Sequence, residues 1–292
     1  MILNSNNIAM LTQGYKANFN TGMGTYTPMY TAIATVVPSS TSEEIYPWMG
    51  MSLNFITWLG DRAIQNLKQY DWRVKNIPFE LTVGVDRDRI EDDSYGVFSP
   101  MMEYMGYEAA RHPDVLTFAL LPGGFTALCY DGQYFFDTDH PVGTGTVSNH
   151  QGGSGNAWYI LDTTRPIKPF IFQKRKDYKF VSLTNETDHN VFMRKEYLYG
   201  SDARVNASYA FWQFAYASKQ PLTEANVAAA IAAMKNFRGD NGAVIGVQPN
   251  IIVVNPTDEV AAEKIVTAVY SANGASNVMA NKLKVMSSAL VA

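Results

Sequence analysis

The alternation of apolar and polar residues is clearest on the two sides of Asn76. A period of two over residues 70–75 and 77–85 predicts two half-buried strands. Pro78 favours an edge position for the second strand, because proline has no N–H to donate to a neighbour. Paired with each other, strands of about ten residues would form a ribbon about 33 Å long, which needs a partner surface to be stable. The pattern fits two strands of an ordinary compact sheet equally well.

A long helix is predicted from residue 99. Ser99 is the expected N-cap and Pro100 the first helical residue, an order typical of helix starts. Pro113 is expected to break or kink the helix, because a proline inside a helix removes a hydrogen bond and crowds the preceding turn. The apolar run 115–121 extends the element to a Pro-Gly-Gly stop.

The C-terminal third has the strongest helix signals. Thr223 is a predicted N-cap, and Val227, Ile231 and Met234 share one face before Gly239 ends the helix. The elements expected after it are a buried strand over 251–254, a helix from 257 to about 273 and a closing strand over 283–286. This alternation predicts an α/β region, whereas the strand-like segments 167–172, 178–183 and 209–216 indicate an α+β middle region.

Residues 1–44 show neither helical nor strand periodicity over any sustained length. They contain scattered aromatic residues, among them Tyr15, Phe19, Tyr26 and Tyr30. A typical disordered tail lacks such residues. We therefore interpret this stretch as an extended arm that neighbouring molecules order, with a disordered tail as the alternative.

The composition favours a self-associating protein. Only 17% of residues are charged while 13% are aromatic, and the formal net charge is -4. A monomer of this composition would expose an unusually apolar surface. Cys129 is the single cysteine, which excludes an internal disulfide or a zinc finger. The sequence has no block of basic residues that would bind duplex DNA tightly and no apolar run long enough to cross a membrane.

The most enzyme-like cluster is formed by Asp137, Asp139 and His140, because two carboxylates and an imidazole suit a divalent metal. No second histidine or acidic cluster stands at a convincing spacing, and Asp and Pro are ordinary turn residues. A metal-dependent hydrolase is thus a minor alternative, and we assign no catalytic, cofactor-binding or metal-binding residue.

One basic triplet, at residues 174–176, is flanked by the aromatic residues Phe172, Tyr178 and Phe180. Such a segment could contact a nucleic-acid backbone by charge and stacking. A solvated strand face is the better interpretation of these residues.

Five motifs together resemble a known family. They lie at residues 128–142 (LCYDGQYFFDTDHPV), 157–173 (AWYILDTTRPIKPFIFQ), 190–204 (NVFMRKEYLYG followed by DAR), 211–216 (FWQFAY) and 248–256 (QPNIIVVNP). In sequence and order they are similar to the major head subunit of Mu-like phages and prophages. The resemblance spans most of the chain and is structural, since none of the motifs is a catalytic pattern.

The resemblance implies an α+β chain with the HK97-type capsid fold. Its parts would be an N-terminal arm (1–44), an extended two-stranded loop with flanking strands (45–98, the loop itself at about 60–85), a spine helix with a peripheral domain (99–221) and an axial α/β domain (222–292). An arm and a ribbon that cannot bury their apolar faces alone would gain burial on neighbouring subunits.

The same resemblance implies the partners. The chain would assemble with itself into the hexamers and pentamers of an icosahedral shell, in the bacterial cytoplasm, and become part of the virion. The shell would contact packaged double-stranded DNA without sequence specificity. A portal protein and a separate scaffold or protease are also expected, because the sequence begins without a long charged scaffold segment. No cofactor and no membrane are implied.

Large aromatic residues are the expected anchors between subunits, because such residues dominate interface energetics. The predicted contact residues are Tyr26, Tyr30, Trp48, Trp72, Arg73 and Phe79. A cellular nanocompartment subunit of the same fold, which would enclose enzymes instead of a genome, is the main alternative function.

Overall fold

The computed structural model describes residues 5–47, 71–92, 96–270 and 276–291. The described helices are α1 (Ser5–Thr25), α2 (Tyr30–Ile33), α3 (Arg87–Asp92), α4 (Ser99–Phe118), α5 (Leu120–Gly123), α6 (His189–Arg194), α7 (Glu224–Lys235) and α8 (Glu259–Val266). The strands are β1 (Ala34–Pro38), β2 (Glu43–Tyr46), β3 (Trp72–Lys75), β4 (Ile77–Asp86), β5 (His140–Val142), β6 (Gly145–Val147), β7 (His150–Gly153), β8 (Trp158–Leu161), β9 (Phe170–Leu183), β10 (Glu196–Tyr209), β11 (Ala215–Lys219), β12 (Ile251–Val254) and β13 (Lys284–Ser287).

A four-stranded sheet in the order β1-β9-β10-β4 supports the helices α1 and α4. β9 and β10 are antiparallel and 14 residues long, and β1 runs parallel to β9. Along β10 the residues Tyr197, Tyr199 and Ser201 are buried at alternate positions, as a strand with one covered face requires. Pro78 lies on β4, which among the described residues is an edge strand, as predicted.

A five-stranded sheet in the order β13-β12-β8-β11-β7 forms the second layer. All four residues of β12 and of β8 are buried, which explains why both segments read as continuous apolar runs. This sheet joins strands from both sides of residue 221. The boundary predicted at residue 221 thus assigns strands of one sheet to two predicted domains. The division into domains stays a prediction.

The extended conformation expected for the N-terminal arm is wrong for Ser5–Thr25, which form α1. Ile8, Tyr15 and Phe19 are its buried large residues and pack in one cluster with residues of α4 and β10. Three such residues in 21 leave a weak helical period. The helix is thus stabilised by packing rather than by local preference.

Two glycines allow α1 to cross α4 closely. A Cβ atom on Gly22 would lie 1.8 Å from the carbonyl oxygen of Glu103, and one on Gly106 would lie 2.0 Å from that of Phe19. Neither backbone can give way without moving a helix. The crossing thus depends on the absence of a side chain at both positions.

The predicted strands at 70–75 and 77–85 exist, but they do not pair with each other. β3 pairs with β2 as a two-stranded ribbon, and β4 pairs with β10 in the four-stranded sheet. The buried Asn76 separates them: its side-chain nitrogen donates to Ser39 Oγ at 2.7 Å and to the Thr41 carbonyl at 2.9 Å. These bonds hold the chain where it leaves the ribbon and enters the sheet.

The helix expected over 99–121 is confirmed as α4 followed by the short α5. Its N-cap is Phe98 rather than Ser99, without a side-chain capping bond. Pro113 lies inside α4 and does not break it. In the described residues no helix is both long and apolar enough for a membrane span.

The helices and strands predicted after residue 222 are present, and one of the helices is shorter than predicted. Thr223 caps α7, its Oγ1 accepting a hydrogen bond from the Asn226 amide at 3.3 Å. β12 and β13 pair in parallel. The helix after β12 ends at Val266 instead of near residue 273. The last carbonyls accept hydrogen bonds from later residues, Ile265 from Asn277 Nδ2 and Val266 from the Asn281 amide, both at 2.8 Å, so no further turn is needed to satisfy them.

Candidate assembly surfaces and the His140 centre

The β2–β3 ribbon carries two of the predicted contact residues. Trp72 is half-buried and its indole N–H donates to Ser208 Oγ at 3.2 Å. Arg73 is exposed and forms ion pairs with Asp71 at 2.8 Å and Glu43 at 3.2 Å. Exposed pairs of this kind contribute little stability.

Tyr26 and Tyr30 are joined to the long helix α4 through Asp114, which is fully buried. The carboxylate of Asp114 accepts hydrogen bonds from Tyr26 Oη at 2.5 Å and from the Tyr30 amide at 2.7 Å. It also accepts one from the Met29 amide at 3.0 Å. Burial of Tyr26, and then the hydrogen bond from its hydroxyl to Asp114, raise the pKa of Tyr26. The bonds fix the chain where it leaves α1 for β1.

Phe79 lies on the edge strand β4, half-buried, with its ring 4.5 Å from that of His112 in a T-shaped arrangement. His112 Nδ1 is 2.6 Å from the hydroxyl of Tyr178. Burial lowers the pKa of His112, which favours its neutral form at physiological pH. Phe79 therefore joins the sheet to the middle of α4.

Trp48 lies outside the described residues. The other five predicted contact residues each contact their own subunit as well, so their role between subunits stays a prediction. The sequence interpretation missed several large apolar residues that are at least half exposed: Met10, Val97, Tyr104, Val181, Leu183, Phe192 and Met193. Tertiary packing decides which apolar residues are exposed, so the composition of the chain cannot predict their positions.

His140 is the centre of a buried polar network. Its Nδ1 lies 2.8 Å from Asp131 Oδ2, and its Nε2 lies 3.2 Å from Asn149 Oδ1. Cys129 donates its S–H to Asp131 Oδ1 at 3.0 Å. The indole of Trp212 stacks on the imidazole at 4.0 Å between ring centres.

The network is satisfied within the subunit. Asn149 donates to the Phe135 carbonyl at 2.8 Å and accepts from the Asp137 amide at 2.9 Å, so its orientation is fixed. Burial opposes the ionisation of Asp131, but the hydrogen bonds from His140 and Cys129 outweigh it and lower the pKa of that carboxyl. Burial raises the pKa of the Cys129 thiol, which therefore stays protonated and unreactive.

The candidate metal cluster of Asp137, Asp139 and His140, to which no metal was assigned, does not form among the described residues. Asp137 accepts hydrogen bonds from the amides of Tyr134 and Thr138, and Asp139 is exposed. Within the described ranges, Cys129, Asp131 and His140 are the residues that converge. The sequence pattern missed Cys129 and Asp131 because they come from the preceding loop and meet His140 only after folding.

The basic triplet is partly neutralised. Lys174 pairs with Asp177 at 2.8 Å and Lys176 pairs with Asp202, while Arg175 is exposed. Two of the three charges thus have partners on the same sheet, which favours the interpretation as a solvated strand face.

Comparison with known proteins places the chain in a family. Residues 8–291 match the family described as Mu-like prophage major head subunit gpT. The chain belongs to this family. Members of the Mu-like head subunit family are structural capsid proteins, so the hydrolase and nanocompartment alternatives are set aside.

Two curated relatives and a solved structure agree. The major head subunit of Mu-like prophage FluMu from Haemophilus influenzae is 40% identical over 88% of both chains. The major capsid protein of Escherichia phage Mu is 39% identical over 98% of both chains. A chain of the bacteriophage JBD30 procapsid is 40% identical and covers 99% of this chain with a TM-score of 0.87. The predicted HK97-type α+β capsid fold is confirmed.

Proposed function

We propose that this chain assembles with itself, as hexamers and pentamers, into the icosahedral head shell that encloses the double-stranded DNA of a Mu-like phage or prophage. The observation that carries the proposal is the match in fold over 99% of the chain to a procapsid subunit. The low charge content and the exposed apolar residues support it, because both favour association over a monomeric state.

The proposal includes further partners. We infer a separate scaffold or protease, a portal, and non-specific contact with the packaged DNA; assembly would take place in the host cytoplasm and the mature protein would reside in the virion. The net charge of -4 supports weak contact with DNA, because affinity for DNA comes mostly from neutralising phosphates.

Sedimentation and negative-stain imaging of the purified chain test the proposal. We expect closed particles of megadalton mass, produced by the chain alone or after co-expression with the scaffold gene of the same prophage. A monodisperse monomer under both conditions would contradict self-assembly.

The contact residues are tested by Trp72→Asp. Trp72 is half-buried on β3 of the ribbon, and its indole N–H donates to Ser208 Oγ. If the ribbon contacts a neighbouring subunit, an acidic residue at this position should prevent or weaken shell formation. Asn241→Asp, at an exposed position outside the ribbon, adds the same single negative charge and is the control. Unchanged particle yield and thermal stability in Trp72→Asp would show that Trp72 is not an interface anchor.

A further inference from the structure

A cavity of about 470 Å³ lies at one end of the five-stranded sheet. In this sheet β7, β11, β12 and β13 run in one direction, and β8 runs against them. Lys219 at the end of β11, Asn255 after β12 and Ala289 after β13 all line the cavity. The cavity therefore lies at the carboxyl ends of these strands, which is where open α/β sheets commonly bind their ligands.

The strand register places a lysine and a tyrosine on the same face of the sheet beside this cavity. Tyr159 of β8 pairs with Ala217 of β11, and Lys219 lies two residues further along β11. Side chains two residues apart along a strand share a face. Both Lys219 and Tyr159 line the cavity, so an ammonium group and a phenol belong to one wall.

Lys219 is the one charged residue in the lining of the cavity. Among the described residues its ammonium has no ion pair, and its Nζ lies 4.1 Å from the centre of the Phe125 ring. A phenyl ring attracts a cation but does not neutralise its charge. The neighbouring Asp258 does not line the cavity, and its carboxylate accepts hydrogen bonds from the side chains of Asn156 and Asn255. The lining thus carries one positive charge that an anion could balance.

Tyr159 supplies a second polar group. Its side chain is fully buried, and its hydroxyl has no hydrogen-bond partner in the part of the chain that the structure describes. Burial raises the pKa of Tyr159, so the hydroxyl keeps its proton and can donate. Buried polar atoms without a partner are uncommon. Apolar residues such as Pro122, Phe125 and Val291 form other parts of the wall, and apolar walls with a few polar groups are typical of ligand sites.

We propose that this cavity binds a small free carboxylic acid whose apolar body is about the size of a benzene ring. The carboxylate pairs with the Lys219 ammonium and accepts a hydrogen bond from the Tyr159 hydroxyl, while the apolar body packs against the ring of Phe125. A single cation matches the single charge of a carboxylate better than the double charge of a phosphate. The site lies within one subunit, so the inference does not depend on self-assembly.

Calorimetric titration of the full chain with benzoate tests the inference. We expect saturable binding with a dissociation constant of about 1 mM or tighter, an affinity within reach of so small a ligand. Acetate lacks the apolar body and benzamide lacks the charge, so each should bind about tenfold or more weakly. Benzamide that binds as tightly as benzoate would overturn the proposal. Saturable binding of a peptide that ends in phenylalanine, without binding of benzoate, would also overturn it, in favour of the chain terminus of another protein.

A matched pair of variants tests the role of the charge. Lys219→Met removes the ammonium and keeps a long apolar stem, whereas Lys284→Met removes a charge from an exposed position at the other end of β13. We expect Lys219→Met to weaken benzoate binding about tenfold or more and Lys284→Met to leave it unchanged, with circular dichroism of both unchanged. Equal affinities for benzoate in the two variants, strong or weak, would contradict the proposal.

Tyr159→Phe tests the hydroxyl by two measurements. We expect it to weaken benzoate binding about threefold or more, because one hydrogen bond to the carboxylate is lost. The unfolding temperature of the unliganded chain should stay unchanged or rise, because the hydroxyl removed has no partner within the described residues. A lower unfolding temperature would show that folding already satisfies the hydroxyl, and unchanged binding would show that it does not contact the ligand. Either result would contradict the role given to Tyr159.

Discussion

The His140 centre and the cavity between α4 and the edge strand β4, which Leu81, His112 and Ser201 line, are both partly polar, yet they differ in how many of their polar groups have partners. At the His140 centre the imidazole, the Asp131 carboxylate and the Asn149 amide all have partners at 2.8–3.2 Å. At the cavity, Ser201 Oγ has none in the described residues. Buried polar groups are normally satisfied. The difference separates a polar network that folding completes from a cavity in which a buried hydroxyl has no partner among the described residues.

Removing the central imidazole should have the largest effect on the subunit. His140→Ala leaves the buried Asp131 carboxylate without its cationic or donating partner and removes the ring stacked on Trp212. We expect a loss of about 3–5 kcal/mol in the free energy of unfolding, measured by urea denaturation of subunits. His189→Ala, at an exposed position, should change it by less than about 0.5 kcal/mol. Equal losses in both variants would show that the centre does not stabilise the fold.

The helix crossing gives the next largest effect. Gly106→Ala puts a methyl group 2.0 Å from the Phe19 carbonyl oxygen, so α1 must shift, at a cost of about 1–3 kcal/mol. Gly14→Ala on α1 meets no atom within 4 Å and should stabilise the helix by up to about 1 kcal/mol. The pair is compared by thermal unfolding of subunits. A neutral Gly106→Ala would mean that α1 does not pack as described.

A smaller effect is expected at the junction between α1 and β1. Tyr26→Phe removes one of the hydrogen bonds to the buried Asp114 and leaves the two backbone amides in place. We expect a loss of about 1 kcal/mol in the free energy of unfolding. Tyr134→Phe is a control, because the ring of Tyr134 is 45% exposed. A larger loss in the free energy of unfolding for Tyr26→Phe than for His140→Ala would show that the junction between α1 and β1 stabilises the subunit more than the His140 centre does.

The smallest expected effect is a change in how the stability of the subunit depends on pH under acidic conditions. The pKa of Asp131 is lower in the folded chain than its ordinary value, so its contribution to stability is present above the unfolded pKa of about 4 and is lost as pH falls through the folded value. Subunits should therefore lose stability below about pH 4. Asp131→Asn should make that decline shallower, as measured by urea denaturation at each pH. An unchanged pH dependence would show that His140 and Cys129 do not favour the ionised carboxyl.

The comparison also shows which structures a sequence pattern can predict. α7 was predictable because Thr223 caps it and its buried residues Val227 and Met234 recur on one face. α1 was not, because Ile8, Tyr15 and Phe19 define its buried side only against α4 and β10. Local sequence signals specify α7, whereas tertiary packing specifies α1.

Pairing and convergence were the other limits. The alternation around Asn76 identified β3 and β4 as strands but could not say that their partners are β2 and β10. His140 was recognised as a candidate ligand with the wrong neighbours, because Cys129 and Asp131 reach it from another loop. The motifs carried the family and fold, since they span most of the chain.

The buried Cys129 has a practical consequence for labelling. It is the single cysteine and is 2% exposed, and burial raises the pKa of its thiol. Reagents that need a thiolate will therefore leave the native chain unmodified. A cysteine introduced at an exposed polar position such as Glu186 becomes a unique handle, repeated once in every copy of an assembly. Dyes, spin labels or displayed ligands can be attached there in a periodic array without first removing a native thiol.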